Sequence, residues 1–344
     1  MLGIGVMSGS SLDGLDIVAV DFSEERRVIW NIVAYDTYNL TQDMTMCLDN
    51  ALNLDVREIM ELQSEYSQLL SELIQKFVTD KNLTPAYIAI HGHTLVHSPE
   101  YKSSWQLLNG GLISTLLSCP VICDFRNQDM ALGGQGTPMA VLADRDLYSG
   151  YDYYINLGGI ANCSFINDNK WVAYDLFPFN QVLNAYAQKL GHPYDKDGFL
   201  SSRGIVNEKL LHTLNNDAYI NAPYPKSIDN TWIKEYWMQK LYKDDFSDYD
   251  VMRTHIEFAA QQISYLVNSE SKILWTGGGA HHKLFMEVLA SKNVYNTLPD
   301  KQIIDSKESV LIAYAGYLRW HHKPNFVSSA TGAKRDVIGG AVYL

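Results

Sequence analysis

The sequence predicts an α/β protein made of two units of the same plan, and three observations carry that prediction. Apolar runs of strand length alternate with amphipathic stretches of helical spacing, the pattern of a layered α/β architecture. An order of strand, tight loop, strand, turn, strand and helix occurs at the start of the chain and returns about 150 residues later. The length of 344 residues suits two domains, and a hydrophobic content of 47% supplies material for two cores. The halves do not match residue by residue, so the repeat is one of architecture, with two unrelated α/β units as the alternative. Duplicated units that face one another leave a cleft between them, a common place for a ligand.

The first unit opens with an apolar run at 2–7 that enters Gly9-Ser10-Ser11-Leu12-Asp13-Gly14-Leu15-Asp16 and leaves by 17–22. Small residues let a backbone approach a ligand, and successive N–H groups with Ser8, Ser10 and Ser11 can cradle phosphate oxygens. Asp13 and Asp16 add carboxylates able to hold Mg²⁺ directly or through its waters. The run lacks the Lys-Ser/Thr ending of a Walker-type loop. An ordinary Gly/Ser-rich hairpin turn is the alternative.

After a charged turn at 24–27, residues 28–35 read as a third strand. Apolar residues from Val56 to Phe77 then recur at helical spacing and mark a long amphipathic helix. The runs 86–90 and 120–123 read as buried strands, with a helix at about 112–117 between them. His91, His93 and His97 follow the first of these runs and invite a metal reading, but no carboxylate spacing completes a ligand set. Arg126 offers its planar fork to a phosphate or carboxylate, or pairs structurally with Asp124. Gly133 to Gly136 reads as an irregular loop at a domain junction, a hinge or lid.

In the second unit, strands at 153–157, 160–166 and 171–176 are punctuated by Gly158-Gly159 and Asn167-Asp168-Asn169, and a helix follows at about 180–190. A strand at 272–276 runs into Gly277-Gly278-Gly279, where a following helix N-terminus would suit phosphate or ribose. His281 and His282 read as surface residues. Lys307 and Glu308 are expected to open a helix at 309–320, and the chain closes on an apolar run at 337–344. The domain boundary is placed between 130 and 131, with the segment from about 325 to 344 packing back on the first domain.

A net charge of −12 argues against a nucleic-acid-coating protein and against a polybasic membrane binder, so neither partner is expected. The start of the chain lacks signal-peptide features and no apolar run reaches about 18 residues, which together predict a cytoplasmic protein. Four cysteines in so long a chain do not form a disulfide framework.

Eight motifs in collinear order carry a resemblance to one family. They are Met-Ser-Gly-Ser-Ser-Leu-Asp-Gly-Leu-Asp (7–16), His-Gly-His-Thr-Leu-Val-His-Ser-Pro (91–99), and Asp-Phe-Arg (124–126) leading to Gly-Gly-Gln-Gly-Thr-Pro (133–138). Asn-Leu-Gly-Gly-Ile-Ala-Asn (156–162), Pro-Tyr-Asp (193–195), Pro-Lys-Ser (225–227), Gly-Gly-Gly-Ala-His (277–281) and Thr-Gly-Ala (331–333) complete the set. The chain resembles the anhydro-N-acetylmuramic acid kinases. That resemblance implies two ribonuclease-H-like domains of the actin/hexokinase/sugar-kinase type with an interdomain cleft. It also implies a reaction: ATP, with Mg²⁺, phosphorylates O6 of 1,6-anhydro-N-acetylmuramic acid while water opens the anhydro ring, giving N-acetylmuramate 6-phosphate in cell-wall recycling.

By the same resemblance Asp175 stands where the family has its water-activating base. Gly9, Ser10, Ser11, Leu12, Asp13, Gly14, Leu15, Asp16, Gly158, Gly159, Gly277, Gly278 and Gly279 fall to ATP and its phosphates, and Asp13 to Mg²⁺. His91, His93, Thr94, Arg126 and Asn180 fall to the sugar, and a homodimer is left open. The chain departs from the family at 175–180, where Asp-Leu-Phe-Pro-Phe-Asn replaces Asp-Thr-Gly-Pro-Gly-Asn. Phe177 and Phe179 are therefore expected to reshape the pocket, stack on the sugar's C–H face and govern which sugar is accepted. The stretch 106–111 likewise differs from the family's Gly-Asp/Asn-Pro pattern. These departures keep open a kinase for another anhydrosugar such as levoglucosan, one for a plain sugar, and a weakly active actin-like ATP-binding protein.

Overall fold

The chain opens on an antiparallel meander, β1 (Leu2–Ser8), β2 (Leu15–Glu24) and β3 (Val28–Tyr38), in a register that pairs Leu2 with Asp21 and Ser8 with Leu15. The computed structural model describes residues 1–8, 14–24, 28–224, 226–242, 246–294 and 298–344. Helices α1 (Gln42–Asp49) and α2 (Val56–Asp80) follow. Asp55 starts α2 with a capping box: its carboxylate accepts from the Arg57 and Glu58 N–H groups, and Glu58 reaches back to the Asp55 N–H. Such a cap contributes about 1 kcal/mol. Leu62, Tyr66, Leu70, Ile74 and Phe77 lie three or four residues apart along α2, and this stripe packs on Ile4, Val6, Ile17 and Ala19 of the sheet.

Strand β4 (Tyr87–His91) runs parallel to β1. The hairpin β5 (His93–Ser98) and β6 (Ser103–Leu107) occupies a stretch to which the sequence assigned no strand. It is followed by α3 (Gly110–Leu117), β7 (Val121–Cys123), α4 (Asn127–Ala131) and α5 (Ala140–Asp146).

A second meander then forms from β8 (Tyr153–Leu157), β9 (Ile160–Asn167) and β10 (Lys170–Pro178). Helices α6 (Asn180–Lys189) and α7 (Glu208–Asn215) follow. Next, α8 (Asn230–Trp232) passes through a π-helical turn, Ile233–Trp237, into α9 (Met238–Leu241), ahead of α10 (Asp248–Leu266). Strand β11 (Ile273–Thr276) pairs parallel with β8, and α11 (Lys283–Ser291) comes after it. The chain ends with α12 (Lys301–Trp320), α13 (Ser328–Thr331) and β12 (Ala341–Tyr343), which pairs antiparallel with β7.

The strand orders are β12-β7-β4-β1-β2-β3 and β10-β9-β8-β11. In both sheets a three-stranded meander is extended, beyond its first strand, by a strand parallel to that first one. This is the ribonuclease-H-like plan, occurring twice in one chain, so the duplication read from the element order is real in topology. Each unit has its own core.

Contacts divide the chain into Met1–Ser149 with Ser306–Leu344, and Gly150–Asp305. The division thus falls at 149/150 and 305/306, where the sequence suggested 130/131. Helices α4 and α5 stay with the first unit because the returning C-terminal segment binds them there. Thr331 Oγ1 donates to Asp129 Oδ1 at 2.8 Å, and Lys307 Nζ lies 2.6 Å from Asp144 Oδ1. Lys307 and Glu308 lie inside α12 and do not open it. Among the described residues no helix is long and apolar enough to cross a membrane.

Candidate active site

The parallel strands β8 and β11 end on glycine turns, and β10, parallel to β8 through the meander, ends beside them. The carboxyl ends of such strands are where open α/β sheets bind ligands. Register aligns Asp175, Asn162, Asn156 and Thr276 in one row across β10, β9, β8 and β11. Cross-strand partners share a face, and Thr276 Oγ1 donates to Asn156 Oδ1 at 3.3 Å. The corresponding row of the first unit is Thr37, Asp16, Met7 and His91.

Asp175 owes its place to a bulge. The ladder pairs Asp175 with Asn162 but Phe177 with Ala161, which leaves Leu176 as the extra residue. Strict alternation would put residue 177 on the face of Asp175; one bulged residue turns it to the other face. Phe177 therefore packs in the core with Phe258, at 5.5 Å between ring centroids, while Asp175 stays in the polar row. Phe179 is fully buried against Phe285, centroids 4.7 Å apart. Both rings are spent on the core, which runs against the expectation that they stack on the sugar and select the substrate.

Tyr219, Lys226 and Ile228 surround Asp175. Ile228 N–H donates to Asp175 Oδ2 at 3.0 Å and Tyr219 Oη donates to its carbonyl at 2.7 Å. The Asp175 N–H donates to the Lys226 carbonyl at 3.1 Å. Lys226 Nζ in turn donates to the carbonyls of Tyr219 at 2.9 Å and Ile220 at 2.8 Å. Burial pushes the Asp175 carboxyl up to about 6, against the opposing pull of the Ile228 N–H. A carboxylate so placed is mostly ionised at neutral pH and basic enough to accept a proton. Of these partners the sequence singled out only Lys226, as a motif residue without a role; Tyr219 and Ile228 had no signal.

The glycine turns meet at Asn180. Its Nδ2 donates to the Leu157 carbonyl at 2.9 Å, and a Cβ on Gly278 would lie 3.9 Å from that same nitrogen. The first N–H groups of the α6 region are already used: Phe179 and Gln181 donate to the Gly159 carbonyl and Asn180 to that of Gly158. This helix end thus stitches the turn rather than presenting donors to an anion. Gly277 requires its lack of a side chain, because φ is +79° and a Cβ would meet Asn156 Oδ1 at 2.6 Å. A short 3₁₀ turn, Gly278–His281, follows it in place of the expected helix. His282 is buried, not superficial: its Nδ1 caps α11 from Phe285 N–H, and its Nε2 pairs with Asp195 at 3.2 Å. His281 is exposed and pairs with Asp305.

In the first unit, Gly9, Ser10, Ser11, Leu12 and Asp13 lie outside the described residues. Gly14 and Leu15 are buried at the start of β2. Asp16 Oδ1 accepts from Thr37 Oγ1 at 2.7 Å and from Tyr35 Oη at 3.0 Å. His91 and His93 are buried, and Thr94 Oγ1 accepts from Gln106 Nε2 at 3.4 Å. Neither ring nitrogen of His91 has a hydrogen-bond partner among the described residues. Burial and the Arg126 charge hold His91 well below its usual value and push His97 down to about 4, so both rings are neutral at pH 7. Arg126 is itself pushed down to about 10 by burial, with Glu308 opposing. Among the described residues it forms no ion pair with Asp124, whose Oδ2 accepts instead from Cys123 Sγ at 3.7 Å. The loop from Gly133 to Gly136 lies within the first unit and is tied down there: Gly136 N–H donates to the buried Asp129 at 2.8 Å. Among the described residues no group of three or more His, Cys, Asp or Glu side chains could hold a metal ion.

The structure thus gathers Asp175, Asn180, Gly158, Gly159 and Gly277 to Gly279 at one end of the second sheet. It gathers His91, His93, Thr94 and Arg126 around β4 and β5 in the first unit. Solved structures similar to the chain include the ADPNP-bound activator of the 2-hydroxyisocaproyl-CoA dehydratase from Clostridium difficile, with a TM-score of 0.44 and 13% identity, covering 94% of this chain and 97% of that one. Curated relatives named anhydro-N-acetylmuramic acid kinase include one from Vibrio vulnificus, 30% identical over 99% of this chain and 98% of its own length. Another, from Photobacterium profundum, is 32% identical over the same shares. The family model described as anhydro-N-acetylmuramic acid kinase matches residues 1–344, so the eight collinear motifs and the twice-used sheet plan are those of a member, and the chain belongs to the anhydro-N-acetylmuramic acid kinase family.

Proposed function

We propose that this chain is the ATP-dependent kinase of 1,6-anhydro-N-acetylmuramic acid, with Asp175 as general base, forming N-acetylmuramate 6-phosphate in cell-wall recycling. Asp175 takes a proton from a water that attacks C1. As the C1–O bond to that water forms, the C1–O6 bond breaks and O6 takes the γ-phosphoryl group, releasing ADP. The observation that best supports this reading is the Asp175 environment: a carboxylate raised to about 6 by burial, held by the Ile228 N–H and set in a polar row. A base matched to the working pH contributes about 10²–10⁴-fold.

The glycine turns 158–159 and 277–279 are assigned to ATP, and the opening loop 9–16 to its phosphates. Asp13 is assigned to Mg²⁺, which when bound would neutralise charge on the transferring phosphoryl group. Asp16, already accepting from two hydroxyls, is read as a brace of that loop. The neutral His91 and the Arg126 fork, with His93, Thr94 and Asn180, are assigned to the sugar. ATP as donor places the reaction in the cytoplasm.

The test is ADP release, with Mg²⁺ and with EDTA, over 1,6-anhydro-N-acetylmuramic acid, levoglucosan, N-acetylmuramate, N-acetylglucosamine and glucose. It is repeated in ¹⁸O-labelled water with mass analysis of the sugar product. Preference for the anhydromuramate with label at C1 is expected. Phosphate transfer without label would make this an ordinary hydroxyl kinase, and preference for levoglucosan would change the substrate.

A further inference from the structure

We propose that Asp217 is a positioning residue for Asp175, fixing, with Tyr236 and Lys240, the segment that encloses the base. The inference rests on the reading of Asp175 as the general base. Asp217 is buried just after α7, where an isolated carboxylate is costly unless paired and hydrogen-bonded. Here both oxygens are used. Oδ1 accepts from the N–H groups of Tyr219 at 2.8 Å and Ile220 at 3.4 Å, which fixes the turn. Oδ2 accepts from Tyr236 Oη at 3.0 Å and from Lys240 Nζ. Those two partners come from the π-helical turn and α9, so one carboxylate ties the turn at 219–220 to a separate helical element.

The turn it fixes is the one that reaches Asp175. Tyr219, whose N–H is held by Asp217, donates its hydroxyl to the Asp175 carbonyl. The carbonyls of Tyr219 and Ile220 hold Lys226 Nζ, and the Lys226 carbonyl accepts the Asp175 N–H. Two residues on, Ile228 N–H reaches the carboxylate itself. Every hydrogen bond named here on Asp175 therefore comes from a segment whose first turn hangs on Asp217. Loosening that turn would let the carboxylate drift and admit water to it, and misplacement by about 1 Å can cost up to about 10²-fold in rate.

The titratable groups around Asp175 are Tyr219 and Lys226 of this segment, with Cys163 of β9 in electrostatic reach and Tyr174 adjacent on its own strand, these two paired on the opposite face of the sheet. The Cys163 thiol and both phenols are pushed up by burial, so they stay neutral through neutral pH, and the Lys226 ammonium is engaged by two carbonyls. The acid limb of the rate profile then reports Asp175.

The experiment compares Asp217→Ala, Asp217→Asn and Lys240→Met with wild type for kcat, KM of ATP and sugar, and the pH profile from 4.5 to 8.5. Far-ultraviolet circular dichroism and thermal unfolding establish that each variant is folded. Expected for Asp217→Ala is a fall in kcat of about tenfold, an unchanged KM for ATP, and an acid limb displaced toward the ordinary carboxylate range. Asp217→Asn and Lys240→Met should move the limb the same way by less, and they carry the test if the alanine variant does not fold. A merely structural role would lower the active fraction and leave the limb in place. Folded variants with the wild-type limb, whatever their kcat, would overturn the proposal. Asp175→Asn runs alongside: near-wild-type turnover there sinks the base assignment itself, whereas an inactive Asp175→Asn with unaltered Asp217 variants sinks only the present inference.

Discussion

Replacing Asp175 by Asn should lower turnover steeply and stabilise the fold in one step, and the size of the second effect follows from the site. Burial raises the carboxyl from 3.8 to about 6. A displacement of about 2 pK units corresponds to about 3 kcal/mol, because each unit is about 1.4 kcal/mol. The sign comes from linkage. The folded state binds the proton more tightly than the unfolded chain, so this proton's stabilisation is complete below 3.8 and is lost as the pH rises through about 6. Above that, wild type bears the whole penalty of a desolvated carboxylate. Asparagine bears no charge, and its side-chain oxygen can still accept the Ile228 N–H.

The variant should therefore be the more stable protein at pH 7.5, by up to about 3 kcal/mol, with the difference closing toward pH 4. Urea unfolding of both proteins at half-unit pH steps, followed by tryptophan fluorescence, measures the gap. ADP release should fall by about 10²–10⁴-fold, and the wild-type rate should decline below pH 6. A variant less stable than wild type at pH 7.5, or a gap that does not change with pH, would refute the argument. Both results together would mean that Asp175 is an ordinary hydrogen-bonded carboxylate and not a strained base. A stabilised but inactive variant is the signature of a functional group kept at the expense of the fold.

Two further substitutions test the surroundings. Gly277→Ala forces a Cβ to 2.6 Å from Asn156 Oδ1 at a φ of +79°; it should cost about 1–3 kcal/mol and raise KM for ATP severalfold, and wild-type values for both would free that turn from the nucleotide. Phe177→Ala should cost about 3–5 kcal/mol as a core truncation while the ranking of sugars in the ADP-release panel stays as in wild type; an altered ranking would return the ring to the substrate site.

How the sequence could name Asp175 and yet misread its neighbours is a matter of period. Strands β1 to β4 and β7 to β11 and the long helix α2 were legible because apolar residues recur at two or at three to four residues, and such faces must be buried. The duplication was legible as an order of elements, since the meander and its parallel fourth strand recur without any residue identity. The β5–β6 hairpin was not: its strands hold His93, His97, Ser104 and Gln106, polar residues that gave no apolar alternation.

Composition, periodicity and the eight motifs by themselves determined the α/β class, the repeated plan, the family and the position of the candidate base. Only the tertiary structure decided what surrounds that base. A single bulged residue at Leu176 sends Phe177 to the core and keeps Asp175 in the polar row, although simple alternation puts residues 175 and 177 on one face. Such a slip is set by the partner strand's register, which no local pattern in β10 encodes. The shell around Asp175 likewise comes from the Tyr219 hydroxyl, the Lys226 carbonyl and the Ile228 N–H, more than forty residues away. A backbone N–H or carbonyl is the same in every residue, so only the folded path of the chain could reveal which of them reach the carboxylate.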